Sequence, residues 1–176
     1  FTPMYEEMGY AAATHADELV FGLLSTGFTE LCYDGQNFFD TDHPVGNEET
    51  GVSSVSNMQA GGGNPWFLLD VNRPLKPLIF QRRRDYDIKA MTKADDENVF
   101  MRDEYRYGID ARVNAGFGLW QLAFGSKATL DAANFKAARQ AMKSLKSDEG
   151  RPLNVRPNLL VVGASNEAAA EDLIKI

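Results

Sequence analysis

The sequence is poor in the residue from which disulfides and thiol sites are built. It has a single cysteine, Cys32, among 176 residues, so no disulfide can form within the chain. Cys32 stands between Leu31 and Tyr33, and we interpret it as a small apolar residue of the interior. We identify no positioned base that would make it a nucleophile. The composition therefore argues against a disulfide scaffold and gives no sign of thiol chemistry.

Long hydrophobic runs and an excess of positive charge are also missing. No apolar run approaches the length of about 20 residues that crosses a bilayer, so we expect no membrane partner. The chain carries 25 acidic and 18 basic residues, a net charge of -7. Such a surface repels phosphate, which disfavours general nucleic-acid binding and leaves room only for a local basic patch. Hydrophobic residues make up 44% of the chain, enough for one domain or for one domain plus a smaller subdomain.

Apolar periodicity predicts helices near both ends of the chain. Residues 3–24 favour a helix that Gly27 ends, with a break and a fresh N-cap at Thr14, since Asp17 follows at the capping-box spacing. Residues 129–145 form the best helix, which Thr129 can cap. Its apolar face is formed by Phe135, Ala138, Met142 and Leu145. Ser165 is expected to cap a last helix.

The middle of the chain reads mostly as strand. WFLLD and PLIFQ are short apolar runs, separated by Pro74 and Pro77, which cannot lie in a central strand. Apolar residues at period two in YRYGI (residues 105–109) indicate a half-buried strand, and the acidic TKADDEN before it an exposed turn or short helix. The run NLLVVGA (residues 158–164) is typical of a strand buried on both faces, and we expect the 129–145 helix to pack on it.

A long polar stretch interrupts these elements. Residues 38–65 are rich in Gly, Ser, Asn and Pro, and structureless loops of this length are usually functional or mobile. We expect an irregular loop there and mobility over residues 47–63. The chain as a whole predicts an α+β fold, with residues 1–128 holding a helix, the long loop and extended strands, and residues 129–176 forming an α/β unit.

Asp40, Asp42 and His43 are the first candidate for chemistry. Carboxylates and imidazole are ordinary metal ligands, so the three residues suggest a metal-dependent hydrolase. Aspartates before His-Pro are also ordinary turn formers, because their side chains accept hydrogen bonds from the local backbone. We favour the turn, and we assign no catalytic, cofactor-binding or metal-ligating residue.

Three further segments suggest chemistry or a contact surface. Gly61, Gly62 and Gly63 lack the strand, helix and lysine of a phosphate loop, so we interpret them as a flexible hinge. The aromatics of GFGLWQLAFGS (residues 116–126) are expected to anchor the core or an interface, with glycines allowing close backbone approach. Residues 82–84 are the basic run RRR. We expect it to pair with nearby aspartates or with a neighbouring subunit, so that charge reversal at Arg83 impairs assembly more than stability.

Four long segments carry a resemblance to a known family. They are LVFGLLSTGFTELCYDGQNFFDTDHPVG, NPWFLLDVNRPLKPLIFQRRRDYDIKAM, DENVFMRDEYRYGIDARVNAGFGLWQLAFGSK and TLDAANFKAARQAMKSLKSDEGRPLNVRPNLLVV. In length, order and spacing they resemble the major head subunits of Mu-like prophages. Residues 47–59 look longer than the family's usual loop, so nothing is carried over to them.

The resemblance implies a major capsid protein with the fold of tailed-phage capsids and encapsulins, this chain holding parts of the peripheral and axial domains. Residues 1–128 are then a peripheral-type region of the subunit, and residues 129–176 a truncated α/β unit. It implies no enzyme activity and no cofactor. The implied partners are copies of the subunit in hexamers and pentamers, scaffold and portal proteins, and packaged DNA held by weak contacts. The implied location is the virion capsid, reached from the host bacterial cytoplasm.

Two other functions stay open, the metal-dependent hydrolase and another head or tail structural protein. The chain starts at Phe1 rather than Met and its last residues, AAAEDLIKI, read as an interrupted helix. We therefore expect a fragment of a longer protein, and expect the fragment, unlike its parent, not to close shells.

Overall fold

The computed structural model describes residues 2–49 and 51–175. Phe1, Thr50 and Ile176 lie outside the described residues, together with the parts of our predictions for the chain ends and the long loop that fall on them. None of the described helices is long and apolar enough to span a membrane.

Helices and strands are mixed along the described residues, as the predicted α+β class requires. In chain order they are α1 (Thr2–Thr26), β1 (His43–Val45), β2 (Ser53–Val55), β3 (Met58–Gln59), β4 (Trp66–Leu69), β5 (Leu78–Met91), α2 (Glu97–Arg102), β6 (Arg106–Phe117), β7 (Ala123–Ser126), α3 (Ala132–Ser144), β8 (Leu159–Val162) and α4 (Glu167–Ile174).

The chain forms two compact units, each made of two stretches of sequence. Unit one consists of Phe1–Phe21 and Phe80–Gly116, and unit two of Gly22–Ile79 and Phe117–Ile176. These limits differ from the predicted boundary between residues 128 and 129, because long-range pairing, which the linear pattern does not reveal, brings β4 beside β7 and β8. The assignment of residues 1–128 and 129–176 to parts of a capsid subunit stays a prediction.

Helix α1 runs without a break through the place where we predicted one. The Thr14 hydroxyl donates to the carbonyls of Tyr10 and Ala11, at 3.2 Å each, so it is satisfied inside the helix rather than used as an N-cap. The helix ends where Gly27 was expected to end it, and the N–H of Gly27 still donates to the carbonyl of Leu23 at 2.8 Å. The predicted break was wrong because a threonine hydroxyl can bond either way.

Unit two is built on a four-stranded sheet with the order β3-β7-β4-β8. Strand β4 pairs antiparallel with both neighbours, so that Trp66 lies opposite Ser126 on one side and Val162 on the other. Strands β4 and β7 are buried at every position. Strand β8 lies at one edge of this sheet, and its Leu159 is 42% exposed. The prediction that NLLVV is buried on both faces was therefore wrong, and WFLL is one of the two interior strands.

Helix α3 packs against β7, and α4 lies beside β8. Ala138 and Met142 of α3 are fully buried, whereas Phe135 is only partly buried. We predicted this apolar face correctly but placed it against the wrong strand. The helix also begins later than predicted, because Asp131, not Thr129, caps it by accepting from the N–H of Asn134 at 2.8 Å.

The last helix does not begin with a Ser165 cap. Ser165 lies within a short 3-10 turn, Ala164–Asn166, and Asn166 occupies the N-cap position of α4 without a capping side-chain hydrogen bond.

The polar stretch of residues 38–65 is more ordered in structure than we expected. Strands β1 and β2 pair as an antiparallel hairpin, in which His43 lies opposite Val55. Strand β3 follows the hairpin and pairs parallel with β7, so the end of the polar stretch is part of the four-stranded sheet. Patterns of two or three residues are too short for periodicity to reveal such strands. The predicted mobility of residues 47–63 stays a prediction.

Aromatic rings fill the core of unit two. Phe39 packs against Phe28 and Phe67, with ring centroids 5.0 and 5.3 Å apart. A Cβ at Gly125 would lie 2.7 Å from the Phe39 ring, and one at Gly27 would lie 2.9 Å from it. These glycines are required because the ring occupies the space of their missing side chains.

Unit one joins the first part of α1 to the long pair β5 and β6. Most residues of β5 and the first residues of β6 are exposed. As expected, the acidic TKADDEN segment is a turn that leads into the short helix α2. This helix exposes its large apolar side chains, with Phe100 at 79% and Met101 at 71%.

Truncating α3 at its buried centre tests the corrected packing. We expect Met142→Ala to lower the free energy of unfolding by roughly 2–5 kcal/mol, because it leaves a cavity against the sheet. The exposed neighbour Lys143→Ala should change it by less than about 0.5 kcal/mol. Urea unfolding of both variants measures the difference, and equal small losses would place this helix face on the surface.

Candidate functional site

His43 is the polar centre of unit two. It is the first residue of β1 and is completely buried. Its Nδ1 lies 2.7 Å from Oδ2 of Asp34, and its Nε2 lies 3.2 Å from Oδ1 of Asn57. Both ring nitrogens therefore face oxygen atoms.

The side chain of Asn57 has one orientation only. Its Oδ1 accepts from the N–H of Asp40 at 2.9 Å, and its Nδ2 donates to the carbonyl of Phe38 at 2.8 Å. Exchanging the oxygen and nitrogen would place two donors together and two acceptors together. The atom facing Nε2 of His43 is therefore an acceptor, and the ring donates to it.

Asp34 supplies the negative charge of the cluster. Its Oδ1 accepts from the N–H of Gln36 at 3.1 Å and from the thiol of Cys32 at 3.0 Å. Burial alone raises the pKa of Asp34, but the hydrogen bonds from Cys32, His43 and Gln36 outweigh it and hold the pKa below its ordinary value. An ionised Asp34 is acceptor-only, so it accepts a hydrogen bond from Nδ1 of His43.

The face of the His43 ring is covered by Trp120. The two rings stack with centroids 3.9 Å apart and planes 9° apart. The stacking buries the apolar faces of both rings against each other. Trp120 is itself 1% exposed, so His43 is enclosed by one carboxylate, one amide and one aromatic face.

The cluster of Cys32, Asp34 and His43 also has the donor types of a metal centre. One donor atom from each lies within 4.8 Å of the others. The 2.7 Å between Nδ1 of His43 and Oδ2 of Asp34 is a hydrogen-bond distance. Two ligands at about 2.0–2.1 Å from a tetrahedral metal would be separated by about 3.3 Å. The short distance fits a hydrogen bond between His43 and Asp34 better than the binding of one metal ion by both residues.

The predicted candidates Asp40 and Asp42 do not join His43 in a ligand set. Asp40 accepts from the backbone N–H groups of Thr41 and Asn37, at 2.7 and 3.2 Å, as a turn-forming aspartate does. Burial alone raises the pKa of Asp40, but these bonds and one from Asp42 lower it overall. The same shared bond raises the pKa of Asp42. This arrangement favours the turn interpretation.

Cys32 is held as a thiol. Burial, and then the hydrogen bond to Asp34, raise its pKa to about 11. Since the thiolate is the nucleophile, a protonated Cys32 is poorly suited to covalent chemistry. Its partly buried position fits the structural role that we predicted.

The glycine triplet packs closely against the backbone at its two ends. A Cβ at Gly61 would lie 2.3 Å from the carbonyl oxygen of Lys127, and the N–H of Gly63 donates to the same oxygen at 2.8 Å. Close backbone approach thus requires glycine at Gly61, whereas Gly62 has open space around it. The flexible hinge stays a prediction.

The aromatic stretch of residues 116–126 lies in the core, as one of our two interpretations had it. Trp120 and Phe124 are buried. Phe117 stacks on Phe38 with centroids 4.4 Å apart. Gly118 allows close approach, because a Cβ there would meet the carbonyl oxygen of Lys76 at 2.0 Å.

The basic run separates into paired and unpaired side chains. Arg82 pairs with Asp85 at 3.3 Å, and Arg84 pairs with Asp110. Both pairs are exposed and contribute little to stability. Arg83 lines a groove in unit one.

Sequence reasoning missed Asp34 and Asn57. Asp34 stands in a Tyr-Asp-Gly turn and Asn57 in a polar stretch, where both residue types are common for local reasons. The only available signal was the proximity of His43, and sequence spacing does not show which polar residue faces a buried ring.

Removing the Asn57 amide tests the cluster. Asn57→Ala should lower the free energy of unfolding by roughly 1–3 kcal/mol for each buried partner left without a bond. The exposed Asp42→Asn should leave stability nearly unchanged. Equal free energies of unfolding for the wild type and Asn57→Ala in urea would show that the amide does not contribute to stability.

The lowered pKa of Asp34 predicts a loss of stability in acid. The folded pKa lies below the ordinary value of 3.8, so the ionised group stabilises the protein above that pH. This stability is lost as the pH falls through the folded pKa. Melting temperatures between pH 6 and pH 2.5 should therefore fall more steeply for the wild type than for Asp34→Asn. Parallel curves would contradict the lowered pKa of Asp34.

Comparison with known proteins gives relatives over the whole chain. The model of the family "Mu-like prophage major head subunit gpT" matches residues 1–176. The Mu-like prophage FluMu major head subunit of Haemophilus influenzae is 45% identical over 182 residues, covering 99% of this chain and 59% of the relative. The major capsid protein of Escherichia phage Mu is 43% identical over 180 residues, with the same coverage. The chain thus spans about 59% of the length of these relatives.

Solved capsid structures share the fold. A chain of the procapsid of bacteriophage JBD30 matches with a TM-score of 0.85 and 51% identity, covering 97% of this chain and 59% of that one. A chain of the bacteriophage JBD30 capsid matches with a TM-score of 0.83 and 30% identity, covering 97% and 58%. The predicted α+β capsid fold is confirmed. The chain belongs to the Mu-like prophage major head subunit family.

Proposed function

We propose that this protein is the major capsid subunit of a Mu-like prophage and assembles into a closed icosahedral shell that packages DNA. The observation that carries the proposal is the family match over residues 1–176, joined to a TM-score of 0.85 with a procapsid chain. The proposal is for the whole protein, since the chain spans about 59% of its relatives' length.

The surface supports a role among copies. Several large apolar side chains are strongly exposed, and they lie in both units. They include Phe100 at 79%, Met101 at 71%, Val52 at 68% and Leu31 at 66%. Single exposed apolar residues are common on any protein, but Phe100 and Met101 are neighbours on α2, and adjoining exposed apolar side chains are typical of a surface that a partner covers. A subunit that meets several neighbours through modest interfaces needs such surfaces.

The partners follow from this role. Copies of the subunit would form hexamers and pentamers, and scaffold and portal proteins would join them during assembly. Packaged DNA would touch the shell only weakly, because the chain carries a net charge of -7. The protein would reside in the virion capsid after assembly in the host cytoplasm. Residues 1–128 would form the peripheral-type region of the subunit, and residues 129–176 a truncated α/β unit.

A structural role also fits the polar cluster. His43 is bonded to Asp34 and Asn57 and covered by Trp120, and its complete burial suits a role in holding the fold. The alternative of a metal-dependent hydrolase at Asp40, Asp42 and His43 has no geometric support, because Asp40 bonds to the local backbone. We infer that the protein is not an enzyme.

Assembly of the protein at the full length of its relatives tests the proposal. We expect closed shells in electron microscopy and a fast-sedimenting species in the ultracentrifuge. Tubes or rings without closed shells would indicate another head or tail structural protein. A full-length protein that stays monomeric under all assembly conditions, or that binds metal stoichiometrically and hydrolyses substrate, would contradict the capsid proposal.

A further inference from the structure

A groove of about 660 Å³ opens in unit one between α1 and the strands β5 and β6. His15 of α1 lies on one wall, and its Nδ1 is 2.8 Å from the hydroxyl of Tyr86 on β5. Partly buried Ile109, Ala111 and Val113 of β6 form an apolar floor. We call this feature the basic groove, because its charged lining residues are Arg83 and Arg112.

The two arginines of the basic groove are exposed and make no ion pair with any residue in the described ranges, 2–49 and 51–175. The adjacent Arg82 and Arg84 both have aspartate partners. Neither Arg82 nor Arg84 lines the basic groove, whereas Arg83 between them does. No carboxylate lines the basic groove within the part of the chain that the structure describes.

Two unpaired guanidinium groups over an apolar floor favour an anionic partner that also carries apolar atoms. Guanidinium binds carboxylates in a planar, two-bonded geometry, and the floor would cover the apolar atoms of an extended segment. A second copy of the protein carries an excess of carboxylates, with 25 acidic against 18 basic residues. Its acidic surface complements the basic groove and is repelled elsewhere, which favours docking at this place.

Duplex DNA fits less well. Guanidinium also binds phosphate, but the net charge of -7 repels a polyanion as a whole. A groove with an apolar floor between a helix and two strands suits an extended polypeptide better than a rigid duplex. We propose that the basic groove binds a carboxylate-bearing segment of a second copy of this protein through Arg83 and Arg112. This inference rests on the proposed capsid function.

Charge reversal with a matched control tests the inference in the full-length protein. Arg83→Glu and Arg112→Glu should raise the concentration needed for shell assembly by about tenfold or more, since like charges would then meet in the contact. Arg82→Glu is the control, because Arg82 is equally part of the basic run but pairs with Asp85 within its own subunit. It should assemble like the wild type. Thermal melts should match in all four proteins, since these arginines are exposed.

Further variants and a DNA-binding assay distinguish the results that would contradict the inference. Arg83→Gln and Arg112→Gln remove charge without reversing it, and should show a smaller defect that wild-type protein mimics at raised salt. Equal defects in Arg82→Glu and the groove variants would overturn the inference in favour of a general charge effect. Normal assembly of the groove variants with reduced binding of duplex DNA in a filter assay would assign the groove to phosphate instead. If the full-length wild-type protein does not assemble, the capsid proposal is contradicted. The proposed binding of a second copy in the basic groove is then contradicted as well.

Discussion

The amide of Asn57 is the junction on which the order of unit two depends. Its side chain bonds to Phe38, Asp40 and His43, and its backbone carbonyl accepts from the N–H of Gly125 at 3.0 Å. One residue thus joins the segment before β1, the start of β1 and the strand β7. An amide presents a donor and an acceptor in fixed geometry, so neither a carboxylate nor an apolar side chain of the same size could replace it. The polar stretch of residues 38–65 is anchored here, although its sequence looks like an open loop.

The aromatic core follows from this junction. Because Asn57 fixes the backbone of Phe38, the neighbouring Phe39 is directed to the space beside Gly125. The ring of Phe38 meets Phe117 on one side and Phe39 on the other, at 4.4 and 4.9 Å. Close packing of rings tolerates few alternatives, since each is large and rigid. The buried polar junction therefore specifies one arrangement of an apolar core that could otherwise pack in several ways.

Much of the fold could be predicted from the sequence, where one signal dominated. The long helices, the breaks at Pro74 and Pro77, and the capsid family itself followed from periodicity, backbone chemistry and long segments of recognisable sequence. The predictions were wrong where the sequence was compatible with two structures of similar energy. Thr14 could bond as a cap or inside the helix, and it bonds inside. NLLVV could lie centrally or at an edge, and strand order, a long-range property, decided for the edge. The candidate site failed for the same reason, since the partners of His43 lie 9 and 14 residues away in loops.

The two units use polar groups in opposite ways. In unit two the polar groups around His43 are buried and bonded to one another, so their energy is committed to the fold of one subunit. In unit one the charges stand on exposed strands, where an ion pair such as Arg82 with Asp85 contributes little because water screens it. An arginine left unpaired there loses almost nothing in the isolated subunit, but it keeps its full bonding capacity for a partner that excludes water. The buried groups of unit two thus contribute to the stability of the fold, and changes to the exposed strands of unit one are expected to leave that core intact.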